Sequence, residues 1–189
     1  MKNSVIMATL IVFGALVATP AMGIEPTPDE KKSDWLYEIR AGVSAHDVGG
    51  LWSGSSKEGG VDFNAELILK HPSFSFFSGT VFPNFGISIN SRGDTSNLYL
   101  GLLWERKIMT GIFLNLGIGA AGHNGKLETT DEDKKALGSH VLFRIPVEIG
   151  YMLNERHRLS FLFVHLSNAY LASPNEGLDT LALRYGYRF

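Results

Sequence analysis

Cysteine is absent from the 189-residue chain. That excludes a disulfide framework and any thiolate metal centre. An excess of positive charge is missing too. Seventeen Lys and Arg stand against 19 Asp and Glu, for a formal net charge of −2. No basic stripe gathers anywhere, so no nucleic-acid partner is expected. After the N-terminal segment, no apolar run approaches the ~20 residues that a membrane helix needs, and no stretch carries a 3.6-residue period. Nucleophile-elbow, Walker and dinucleotide fingerprints do not occur. What the chain does have is 21 glycines and 12 phenylalanines, a composition of short strands and turns. Its 44% hydrophobic content is too high for a disordered chain.

Residues 1–23 open with Lys2, continue through the apolar run Val5 to Val17 and reach the small-residue stretch Ala21-Met22-Gly23. This reads as a secretory signal peptide; a retained anchor helix is the alternative. Residues 24–34 form a polar, proline-containing lead, and residues 24–189 are assigned to a single outer-membrane domain.

From Trp35 onward, apolar and polar residues alternate. Trp35, Tyr37, Ile39, Ala41 and Val43 share one face; Glu38, Arg40 and Ser44 share the other. The same two-residue period recurs near 61–70, 82–90, 97–106, 112–122, 139–151, 157–168 and 178–189, with 71–80 expected as a turn. Eight segments of ~10 residues fit a bilayer crossed by tilted strands. Glu38, Arg40, Asp62, Glu66, Lys70, Glu105, Arg144, Glu148, Arg184 and Arg188 all fall on the polar face, so both signs are available for pairing inside. The expected fold is all-β: an eight-stranded antiparallel transmembrane β-barrel with a polar interior, too narrow for a wide pore. A soluble lipocalin-like barrel is the alternative. The terminal Tyr185, Tyr187 and Phe189 favour the membrane, because such rings suit its interface.

Parity then locates chemistry. If Phe189, Tyr187, Tyr185, Leu183 and Leu181 face lipid, so does Asp179. On the preceding strand, Arg158 and Ser160 suit the interior, which sends His165 and Ser167 outward. Polar groups facing hydrocarbon are costly, and here three gather. Two residues on one strand face lie roughly 6.6 Å apart, and a cross-strand pair about 5 Å. His165 can therefore reach Ser167 with one nitrogen and Asp179 with the other, the logic of an activated hydroxyl nucleophile. Asn168 is a candidate oxyanion donor. The remaining histidines (His46, His71, His123, His140, His157) lack metal-ligand spacing. The acids Asp131, Glu132 and Asp133 lack the pattern of a calcium loop. No metal and no cofactor is expected.

The stretch His165-Leu-Ser-Asn-Ala169, followed by Pro174-Asn-Glu-Gly-Leu-Asp179, resembles the signature of the lipid A 3-O-deacylase (PagL) family of outer-membrane hydrolases. The resemblance implies His165, Ser167 and an acid fourteen residues after the histidine as catalytic residues. The family carries Glu at that last position, and this chain carries Asp179; Glu176 is the alternative acid. It implies hydrolysis of the ester-linked hydroxyacyl chain at position 3 of lipid A, with lipopolysaccharide as substrate and the outer membrane as location. A homodimer is one candidate assembly. Two other functions stay open on the residues alone: a non-enzymatic barrel acting as adhesin or membrane stabiliser, and an esterase or acyltransferase acting on phospholipid.

Overall fold

The computed structural model describes residues 34–189; the expected signal peptide lies outside the described residues. The alternating segments form β1 (Leu36–Ala45), β2 (Val61–Leu69), β3 (Phe74–Phe76), β4 (Gly79–Asn90), β5 (Asn97–Met109), β6 (Ile112–His123), β7 (Val141–Met152), β8 (His157–Ser167) and β9 (Leu178–Arg188). Every neighbouring pair is antiparallel, β1 pairs with β9, and β2 pairs with β4, so eight long strands close into a ring. Closure leaves none of the eight with a free edge, the condition for β-structure in lipid. Turns at one end of the ring are short, as at 110–111 and 153–156. At the other end the connections 46–60, 91–96, 124–140 and 168–177 include three long ones. Long loops mark the extracellular end of an outer-membrane barrel.

One expectation needs correction. Residues 71–80 are not a simple turn: Phe74–Phe76 folds back on Gly79–Val81 as a small hairpin. Trp104 Nε1 donates to the Phe76 carbonyl at 2.7 Å and pins this wing against β5. Three residues of alternation are too few to register as a strand in the sequence.

The interior is filled by ion pairs. Arg40 contacts Glu148 at 2.5 Å and Glu38 at 2.7 Å; Arg158 contacts Glu105 at 2.7 Å; Arg184 bridges Glu148 at 2.7 Å and Glu66 at 2.8 Å. The Arg158 guanidinium also lies 3.5 Å from the centroid of the Phe113 ring. Towards the long-loop end this network gives way to an apolar plug built from Tyr99, Leu142, Leu162, Val164, Leu166 and Leu178. A ring of eight strands holds about this much side-chain volume and no channel. The outward face is apolar and exposed, for example at Ile149, Phe161, Leu183 and Ile118, as a lipid-facing band requires.

Candidate active site

The outward parity of β8 and β9 brings His165 directly opposite Asp179 in the strand register. Nδ1–H of His165 donates to Oδ1 of Asp179 at 2.6 Å. One carboxylate oxygen therefore fixes the imidazole tautomer and leaves Nε2 available. Ser167 lies two residues on, on the same outward face and partly exposed. Among the described residues, Ser167 Oγ makes no hydrogen bond to His165 or to any other group. Contacts of this type commonly tighten only when substrate is bound.

Although they face outward, His165 is only 8% exposed and Asp179 is fully buried. The connection 46–60 folds over them. Ser53 N–H donates to the second carboxylate oxygen of Asp179 at 2.6 Å, and Val48 N–H donates to the Asp179 carbonyl at 2.8 Å. The indole of Trp52 lies over the imidazole, with ring centroids 4.8 Å apart, and reaches Phe163 at 6.3 Å. Gly177 also stands against the ring, at φ +63°, and a Cβ there would come within 3.2 Å of His165 Cε1. Both the backbone conformation and the close approach call for glycine at this position. None of these four neighbours was evident as such from the residues alone. The one available signal was a tryptophan inside a loop otherwise rich in glycine and serine.

The other two candidate residues, Glu176 and Asn168, are described by what each side chain touches. Glu176 does not approach His165: its carboxylate takes Lys57 Nζ at 2.5 Å and the N–H of Ala136 at 2.6 Å. Burial pushes its pKa up, but those two partners outweigh it and hold the group below the ordinary carboxylate value. Asn168 is also committed. Its side-chain amide donates to the carbonyls of Leu137 at 3.0 Å and Pro174 at 2.8 Å, and its backbone N–H donates to Asn175 Oδ1. Both amide hydrogens of Asn168, the oxyanion candidate, are thus taken in this geometry, as a buried amide between loops serves the carbonyls nearest to it. The next two residues, Ala169 and Tyr170, have positive φ, and their N–H groups take no partner among the described residues.

The covering loop is held by a buried polar cap. His46 sits between Asp62 on Nδ1 and Glu58 on Nε2, each at 3.0 Å. Burial disfavours its charge, but the hydrogen bonds to Asp62 and Glu58 win and raise its pKa to about 9. Burial likewise opposes ionisation of Glu58, yet bonds from His46 and Thr95 bring it down to about 2. Asp47 accepts the N–H groups of Lys57 and Glu58, which closes the base of the loop, and pairs with Lys135 at 3.2 Å. Lys135, although it ends the charged stretch Glu132-Asp-Lys-Lys135, is fully buried here.

The family described as lipid A 3-O-deacylase (PagL) matches residues 71–188. A lipid A deacylase PagL of Bordetella bronchiseptica (strain ATCC BAA-588 / NCTC 13252 / RB50) is 32% identical over 77 residues, 41% of each chain. The alignment thus spans about two fifths of that curated relative. The crystal structure of the outer membrane enzyme PagL is similar with a TM-score of 0.58 at 21% identity, covering 80% of this chain and 99% of that one. At that identity the likeness establishes the shared barrel fold.

Proposed function

The chain belongs to the lipid A 3-O-deacylase (PagL) family, and from that premise we propose that it hydrolyses the ester-linked hydroxyacyl chain at position 3 of lipid A. The observation that carries this reading is the His165–Asp179 pair at 2.6 Å, on the lipid side of the barrel wall beside Ser167 and at the long-loop end. Lipid A occupies the outer leaflet, so its acyl chains lie against Phe161, Phe163 and Leu181 when its esters are level with Ser167. Part of the same reading is that residues 1–23 direct export.

The chemistry follows from the free nitrogen. His165 Nε2 takes the proton of Ser167 Oγ as that oxygen attacks the ester carbonyl. The developing oxyanion is served by backbone N–H groups; those of Ala169 and Tyr170, which follow Ser167 closely in the chain and take no partner among the described residues, are two such donors. When the tetrahedral centre collapses, the bond to the sugar oxygen breaks, and that oxygen takes the proton from Nε2. The acyl group is then an ester of Ser167. Water attacks it, giving its proton to Nε2, and collapse returns that proton to Ser167 with release of the hydroxy fatty acid. Asp179 orients the imidazole throughout. All three side chains come from one chain, so this chemistry needs no second copy.

The test is mass spectrometry of lipid A and phospholipid from a host lacking the activity, with and without the protein. Loss of one hydroxyacyl group from lipid A is expected, with phospholipid unchanged and with no loss for Ser167→Ala or His165→Asn. Unaltered lipid A, or full activity in either variant, would overturn the proposal.

A further inference from the structure

We infer that the first extracellular loop supplies two positioning residues to this site: Ser53, whose N–H fixes the carboxylate of Asp179, and Trp52, whose indole fixes the imidazole of His165. The inference rests on the deacylase reading and extends it to residues outside the β8–β9 hairpin.

The acid is the first reason. Asp179 is shorter by one methylene than the Glu expected from the family resemblance, so its grip on the imidazole depends on how its carboxylate is turned. Here both oxygens are engaged, one by His165 Nδ1 and the other by Ser53 N–H at 2.6 Å. The Asp179 carbonyl is held as well, by Val48 N–H at 2.8 Å. Backbone and carboxylate are thus clamped by the same loop, and a carboxylate fixed at both oxygens cannot swing away from the ring. Charge-assisted bonds of this kind are among the stronger ones.

The imidazole is the second. A polar ring on the lipid face of a barrel needs cover. Trp52 gives it, at 4.8 Å between centroids. Trp52 itself is 62% exposed, so the indole covers the ring while keeping an outer surface open to an approaching substrate. The loop reaches this pose because its two ends are tied by Asp47 to the N–H groups of Lys57 and Glu58. The position of Trp52 and Ser53 is therefore set before any substrate arrives, which is how pre-organised sites gain rate.

Kinetics on purified, refolded full-length protein with lipid A test the inference. Ser53→Pro removes the donor, since proline has no N–H. It should lower kcat about 100-fold, and Trp52→Ala roughly 10-fold, with KM moving less than about threefold, because misplacement costs rate rather than affinity. The conservative changes Ser53→Ala and Trp52→Phe, which keep the N–H and the aromatic face, should recover kcat to within about threefold. A second readout does not depend on activity. The ring current of Trp52 should displace the His165 Hε1 NMR resonance upfield, and Trp52→Ala should return it. Wild-type kcat in Trp52→Ala, or no upfield displacement in the parent protein, overturns the inference. Should Ser167→Ala retain activity, the deacylase reading falls instead, and the resonance still reports whether the indole covers the ring.

Discussion

Two buried histidines, far apart in the chain, are partnered in opposite ways. His46 has a carboxylate on each nitrogen: Asp62 on one side and Glu58 on the other. His165 has a carboxylate on Nδ1 alone. An imidazole clamped at both ends holds its second proton firmly and acts as a fixed cation. An imidazole clamped at one end keeps a nitrogen that can accept and return a proton. The same side chain is thus a rivet in the loop cap and, in the proposed reaction, a base in the barrel wall, and the number of carboxylates around it separates the two.

The largest expected effect separates these roles directly. His165→Asn should cut deacylation by ~10³-fold or more and leave the heat-modifiable mobility of the folded barrel unchanged. His46→Asn should do the reverse in kind. It leaves Glu58 and Asp62 buried without their cation, which typically costs about 3–5 kcal/mol, so the loops should become protease-sensitive while some activity survives. Equal loss of activity and equal fold integrity in the two variants would erase the distinction.

Asp179→Asn comes next. It keeps the shape of the acid but removes the charge that holds the productive tautomer, and kcat should fall by ~10²–10⁴-fold. Glu176→Gln, which touches Lys57 rather than His165, should change kcat less than about threefold. Steady-state kinetics on lipid A compares them, and a larger loss at Glu176 would reassign the acid.

A pH titration of loop hydrogen exchange sharpens the cap's half of the comparison. The pKa of His46 is raised from 6.5 to about 9. Its contribution is fully present below about 6.5 and is lost as pH rises through 9. The pKa of Glu58 is lowered from 4.5 to about 2. Its contribution is present above 4.5 and is lost as pH falls towards 2. Protection of residues 46–60 should therefore be greatest between about pH 4.5 and 6.5 and should decline on both sides. Protection that climbs from about pH 7 to pH 10 contradicts the sign.

The smallest effect belongs to Gly177→Ala. A side chain at φ +63° costs roughly 1–2 kcal/mol and crowds His165 Cε1, so kcat should fall only a few-fold while thermal stability drops slightly. An alanine variant indistinguishable from the parent in both would show that the 168–177 connection yields freely around the histidine.

Much of this could be read from residues alone because a strand has a period of two. Once Tyr185, Tyr187 and Phe189 were set to lipid, the directions of Asp179, His165 and Ser167 followed, and the pairing of His165 with Asp179 came within reach. The charges on the opposite face, Arg40, Glu148 and Arg184 among them, had nowhere to go but inward. The wing at Phe74–Phe76 escaped because three residues carry too little alternation. The commitment of Asn168 escaped because its partners, Leu137 and Pro174, come from two different loops.

The sequence by itself determined the barrel, its inside and outside, and the histidine–acid hairpin, because alternation and short turns are local and each residue's face follows from its neighbour's. The tertiary structure alone decided that Glu176 turns away to Lys57 and that Ser53 and Trp52 fold onto Asp179 and His165. Those contacts join residues from loops distant in the chain. They depend on how loops without periodicity fold over one another, and no local pattern encodes that.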